Sequence, residues 1–176
     1  MHFPPGNRLR VIEMYDLIGD IHGHADELEQ LLHVLGYRLS QGVYSHPSRQ
    51  VIFLGDFIDR GPKIKRVLDI VRPMTETGSA ISVMGNHELN ALAFHGEVPN
   101  NEGSFLRKRN LKNIRQHAQT ILQLPDRELT SALEWFLTLP LWIELDGLRV
   151  VHACWDTNAV TTVNAACGGS SKNLIS

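Results

Sequence analysis

Met14-Tyr15-Asp16-Leu17-Ile18-Gly19-Asp20-Ile21-His22-Gly23 joins an apolar run to an Asp and a His flanked by glycines. A strand is expected over residues 14–18, with donors that hold divalent metals placed just past its end. Two later segments repeat this arrangement. Val51-Ile52-Phe53-Leu54 leads into Gly55-Asp56-Phe57-Ile58-Asp59-Arg60-Gly61, and Ala80-Ile81-Ser82-Val83-Met84 leads into Gly85-Asn86-His87-Glu88. Between them, Leu28, Leu31, Leu32 and Leu35 recur at helical spacing, as do Ile64, Val67, Leu68 and Val71, with Pro62 near a first turn that tolerates proline. Strand, helix, strand, helix, strand predicts parallel strands joined by right-handed crossovers. Open α/β sheets build sites along the carboxyl edge, so the three clusters are expected to converge there.

Working outward, residues 37–39 and 43–45 flank Ser40-Gln41-Gly42 as a small hairpin, and a helix is expected from Glu88 to Phe94. Residues 95–110, rich in Gly, Asn, Glu, Lys and Arg, predict an exposed loop or lid. Helical patterns follow over 114–124, ending at Pro125, and over 127–137, with Asp126 as a cap. Asp146-Gly147 between apolar runs at 141–145 and 148–152 predicts a second hairpin. After Trp155 the composition turns to Thr, Asn, Ala, Gly and Ser. A catalytic domain over 1–156 and a polar, poorly packed tail over 157–176 are therefore expected.

The 176-residue length fits one domain, and a 43% hydrophobic fraction supplies a core without staples. Cys154 and Cys167 do not make a disulfide framework. A net charge of -2 gives no electrostatic drive toward nucleic acid or anionic membrane. Neither a signal-type apolar region nor a stretch of membrane-span length is present, so a reducing cytoplasm is the expected setting.

Asp20 and His22 are two residues apart, which puts both on one side of an extended segment, although Asp and Gly after a strand also make ordinary turns. The two oxygens of Asp56 can bridge two ions about 3.5–4 Å apart. Arg60 offers a planar fork matched to phosphate, while Asp59 either orients another group, pairs with Arg60 or caps a helix. Adjacent residues point differently, so Asn86 is expected as a ligand and His87 as a general acid, with Glu88 supporting a helix N-terminus. His152, ending the run from Leu148, would bring an imidazole to the same edge.

These segments together resemble the calcineurin-like metallophosphoesterase superfamily, most closely its phosphoprotein phosphatase branch, from Met14 to Trp155. The resemblance implies an α/β sandwich of two mixed β-sheets flanked by helices, the second sheet incomplete. It implies two divalent ions, manganese by ligand type, with iron or zinc as alternatives. Asp20 and His22 would hold the first, Asp56 would bridge, and Asn86 and His152 would hold the second. His87 would protonate the leaving oxygen, Asp59 would orient it, Arg60 would hold phosphate, and a metal-bound hydroxide would attack. The implied substrate is a phosphomonoester such as phosphoserine or phosphothreonine in a protein. Alternatives are a dinucleoside polyphosphate of the diadenosine tetraphosphate type, or a binding role without catalysis. Arg107, Lys108 and Arg109 are expected to attract the anion. The family's further histidine and second phosphate-contacting arginine have no counterpart after His152, and Cys154-Trp155 departs from the family's glycine-containing segment. A weakened second ion site is the expected consequence.

Overall fold

The computed structural model describes residues 14–167. In chain order the elements are β1 (Met14–Ile18), α1 (Ala25–Val34), β2 (Arg38–Ser40), β3 (Val43–Ser45), β4 (Arg49–Phe53), α2 (Ile64–Glu76), β5 (Ala80–Ser82), α3 (Asn86–His95), β6 (Glu97–Val98), β7 (Asn101–Phe105), α4 (Leu111–Gln123), α5 (Asp126–Phe136), β8 (Trp142–Leu145), β9 (Leu148–Val151) and α6 (Thr157–Cys167).

The central sheet has the order β1-β4-β5 and is parallel throughout. Ile18 pairs with Phe53, and Phe53 with Ser82, so the three strands finish nearly level and their following loops emerge side by side. Side chains alternate across the sheet with period two. Ile18, Val51, Phe53 and Ala80 face Leu28 and Leu32 of α1 and Ile64, Val67 and Val71 of α2. Ile52 and Val83 face the other way, against Val150 of β9, with Ile143 and Leu145 of β8 packed alongside. The two sheets expected from the sequence are thus present, and among the described residues the second consists of the β8–β9 hairpin. Backbone joins the layers as well: Met84 N–H donates to Pro140 O at 2.8 Å.

Two expectations need correction. Residues 95–110 are largely exposed, as expected, but they are not simply a loop, because β6 and β7 form an antiparallel hairpin closed through Asn100 at φ 60°. Arg107 N–H donates to Ala93 O at 2.8 Å and Leu106 N–H to Gly96 O at 2.9 Å, so backbone bonds hold a stretch with no apolar alternation. Asp126 lies inside α5, whose N-cap is Pro125 with no side-chain cap. Secondary structure also continues beyond Asp156, since Asp156 Oδ1 accepts Ala159 N–H at 2.8 Å and starts α6. The side chains described in α6 are exposed or half-buried. No helix among the described residues is long and apolar enough to cross a membrane.

Candidate metal centre

The loops after β1 and β4 are wound into left-handed backbone. Of the seven non-glycine residues with positive φ among the described residues, five lie here: Asp20 (51°), His22 (44°), Asp56 (58°), Asp59 (67°) and Arg60 (61°). Each costs about 1–2 kcal/mol and persists only if its surroundings insist on it. They do. His22 N–H donates to Asp56 O at 2.8 Å, Gly23 N–H to Phe57 O at 2.9 Å, and Gly61 N–H to His22 O at 2.8 Å.

Glu88 fastens the third loop to the second. Its Oε2 accepts Asp56 N–H at 2.8 Å and Gly85 N–H at 3.0 Å, and its Oε1 accepts Phe57 N–H at 2.8 Å. The support expected at the α3 N-terminus is therefore one third of its role; the sequence did not disclose the bonds across to Asp56 and Phe57. Complete burial pushes the Glu88 carboxyl up, against the backbone donors that pull it down. The loops meet so closely that a β-carbon on Gly85 would collide with Oδ1 and the backbone nitrogen of Asp56, and one on Gly55 would strike the backbone of Gly85.

With Oδ1 accepting His87 N–H at 2.9 Å, Asp56 presents Oδ2 to two imidazoles, lying 3.5 Å from His22 Nε2 and 3.5 Å from His152 Nε2. Both rings are oriented from behind. His22 Nδ1–H donates to Ile58 O at 2.8 Å and His152 Nδ1–H to Leu54 O at 2.7 Å, which leaves each Nε2 as the nitrogen able to bind a cation. His22 Nε2 is buried without a hydrogen-bond partner and lies 3.9 Å from Asp20 Oδ1. His152 Nε2 lies 2.9 Å from Asn86 Oδ1. Imidazole nitrogens, carboxylate oxygens and an amide oxygen converge here with no shared hydrogen to hold them, an arrangement suited to divalent ions. Two ligand sets result, each with its atoms within 4.8 Å of one another: His22, Asp56 and His87, and Asp20, Asp56 and His152. Asp56 belongs to both.

His87 and Asn86 point apart, as their adjacency suggested. Asn86 is exposed toward His152, whereas His87 is buried against Asp59, its Nδ1 2.6 Å from Asp59 Oδ2. Burial lowers the His87 imidazole, but the Asp59 hydrogen bond and the nearby carboxylates outweigh it and raise the ring above its ordinary value. Burial likewise pushes the Asp59 carboxyl up, yet hydrogen bonds from His117, His87 and Thr120 hold it well below the usual carboxylate range. Asp59 therefore neither pairs with Arg60 nor caps α2. Arg60 is exposed, and among the described residues it makes no hydrogen bond or ion pair. Of the basic trio proposed for substrate, Arg109 stacks its guanidinium over Phe105 and donates to Phe94 O at 3.1 Å, and Arg107 donates to Gln116 Oε1 at 3.0 Å. Both serve the hairpin's anchorage. His117, Thr120 and His95 were not anticipated at all.

These level loops, with Asp56 shared between two ligand sets, define a metallophosphoesterase-type centre. The chain belongs to the calcineurin-like phosphoesterase family, whose sequence pattern matches residues 15–170. Among curated proteins it is 32% identical over 146 residues to the bis(5'-nucleosyl)-tetraphosphatase PrpE [asymmetrical] of Geobacillus sp. (strain WCH70), covering 78% of this chain and 55% of that protein. A shorter match to the like-named protein of Oceanobacillus iheyensis is 44% identical over 73 residues, 41% of this chain and 29% of the relative. The chain thus spans about half, or less, of these relatives. A crystal structure of the cold-active protein-tyrosine phosphatase of a psychrophile Shewanella sp. superposes with a TM-score of 0.55 at 18% identity, covering 89% of this chain and 49% of that one, a likeness of fold.

Proposed function

We propose that this chain carries the metal-binding and acid groups of a hydrolase that cleaves dinucleoside polyphosphates. The observation that carries the reading is Asp56 Oδ2 set 3.5 Å from two imidazole nitrogens whose other nitrogens are tied to backbone carbonyls. The PrpE relatives, named as bis(5'-nucleosyl)-tetraphosphatases, favour a nucleotide anhydride over a phosphoprotein.

In this reading His22 and Asp56 would hold one ion, and Asp56, Asn86 and His152 the other, with manganese suited by ligand type. Asp20, expected beside His22 and 3.9 Å from its Nε2, groups by distance with Asp56 and His152. His87, close to His22 and Asp56, is kept as the acid because Asp59 holds its Nδ1. When bound, the ions polarise the phosphoryl group and acidify the attacking water. Arg60 binds a non-bridging phosphate oxygen through its planar fork. A bond forms between the water oxygen and phosphorus as that water loses a proton to solvent. The bond to the leaving oxygen breaks, and His87 Nε2 supplies a proton to that oxygen and is afterwards reprotonated from solvent. Asp59 holds His87 Nδ1–H and stabilises the charged ring.

The His87–Asp59 pair itself favours a second reading, phosphomonoester hydrolysis. A serine or threonine alkoxide is strongly basic and needs a proton to leave, whereas a nucleotide phosphate, with a second pKa of about 6, departs far more easily. A manganese-supplemented assay on diadenosine tetraphosphate, phosphoserine peptides and p-nitrophenyl phosphate, with Asp56→Asn as the blank, separates the readings. Turnover of the tetraphosphate above the other two supports the proposal, and preference for the peptides supports the second. Signal equal to the blank on every substrate would favour a binding protein that retains the fold.

A further inference from the structure

Beyond Asp59, on the side away from His87, stands an imidazole that the reaction as drawn does not use. His117 of α4 is 1% exposed and donates Nδ1–H to Asp59 Oδ1 at 2.8 Å. Thr120 Oγ1, one helical turn later, donates to the same oxygen at 2.6 Å and accepts Asp59 N–H at 3.0 Å. Gln123, one turn further, accepts Ile64 N–H at 2.8 Å and donates to Gly61 O at 2.9 Å. One face of α4 thus grips the loop between β4 and α2 at three successive turns.

His117 Nε2 in turn lies 3.1 Å from His95 Nε2. That separation requires one proton between the nitrogens, and not two. If His117 is neutral, its hydrogen is on Nδ1 and His95 Nε2–H donates. If His117 is charged, it donates to His95 instead. In both states Nδ1 keeps its hydrogen and Asp59 keeps its donor. Burial, then the neighbouring His117 and Arg109, push His95 down to about 4, so it is a neutral partner in either state. Phe94 packs against His117 with ring centroids 5.3 Å apart and excludes alternative partners on that side.

We propose that His117 is a positioning residue for this centre: with Thr120 it occupies Asp59 Oδ1, so that the carboxylate cannot rotate and Oδ2 alone orients the proton-bearing ring of His87. His95 completes the clamp by fixing which nitrogen of His117 faces the carboxylate. The physical need is plain, because the terminal torsion of Asp is broad and roughly two-fold, and a carboxylate held only by His87 would swing with it. The inference rests on reading His87 as the acid of a phosphoester hydrolase.

The test uses His117→Asn, whose amide can reproduce the Nδ1–H donor, beside His117→Phe and Thr120→Val. On an alkyl phosphate with a poor leaving group, kcat should fall roughly 10–100-fold in His117→Phe with KM unchanged, part of the factor available to a general acid. On an activated aryl phosphate the fall should be under about 3-fold, since that oxygen needs little protonation. His117→Asn should recover most of the loss. Equal losses on both substrates, or no recovery by Asn, would overturn the role. Independently of turnover, proton NMR of the metal-free protein should show hydrogen-bonded imidazole N–H signals from His87 and His117. Thr120→Val and His117→Asn should shift the His87 signal, and a His87 signal indifferent to both would refute the coupling. A wild type that turns over no substrate would sink the functional reading and leave this last measurement to decide the clamp.

Discussion

Asp56 and Asp59 lie three residues apart on one loop, both buried and both in left-handed backbone, yet their surroundings are opposite. Among the described residues, every bond made to the Asp59 carboxylate comes from a donor: His87 and Thr120 reach it, and His117 completes the set. Asp56 gives one oxygen to the His87 backbone and turns the other toward imidazole nitrogens and the Asp20 carboxylate. A carboxylate ringed by donors is a finished structural element. One ringed by other ligand atoms is arranged for cations. The same residue type thus serves two purposes, separated by a single turn of backbone.

The sharpest way to break this contrast is Asp56→Asn. Because both ligand sets share Asp56, turnover should fall by on the order of 10³-fold or more, and calorimetric manganese titration should lose affinity at both sites. Next in size, His87→Ala should cost about 10²–10⁴-fold in kcat on a phosphomonoester while manganese affinity stays near wild type. Equal losses in turnover and affinity would make His87 a ligand and erase the distinction between the two aspartates.

Glu88→Gln tests what holds the loops together. Turning an amide NH₂ toward backbone donors leaves at least one buried group unpaired, so urea unfolding should show about 1–3 kcal/mol lost. No loss would mean that backbone pairing alone sustains the loops. The smallest effect concerns pH. Asp16 is held below its ordinary value chiefly by Arg49, with burial opposing and Tyr37 assisting. A lowered carboxyl contributes stability that is present above its unfolded value of about 3.9 and lost as pH falls through the folded one. The urea-midpoint gap between wild type and Asp16→Asn should therefore be open at pH 7 and narrow as pH falls below about 4. A gap that widens in acid would contradict the pairing.

The parallel sheet was legible because its signals are local. Three apolar runs each ended at a ligand cluster, and two helices carried a regular apolar stripe. The His117 clamp was illegible for the opposite reason. In α4 the apolar periodicity points the wrong way: Ile114, Ile121 and Leu122 are exposed, while His117 and Thr120 are buried. The available signal was polar, since His117, Thr120 and Leu124 fall at i, i+3 and i+7 on one face. The hairpin at 97–105 was missed because its pairing uses backbone groups common to any sequence.

By itself the sequence determined which residue types could bind metal and phosphate and which strand ends would carry them, for strand period and glycine-flanked clusters are written in consecutive residues. Only the tertiary structure decided how each group is used. It aimed His22 and His152 through backbone carbonyls, turned Asn86 and His87 apart, and brought His117 to Asp59 from 58 residues away. Hydrogen-bond direction depends on which atoms meet in space, and that exists only once the chain has folded.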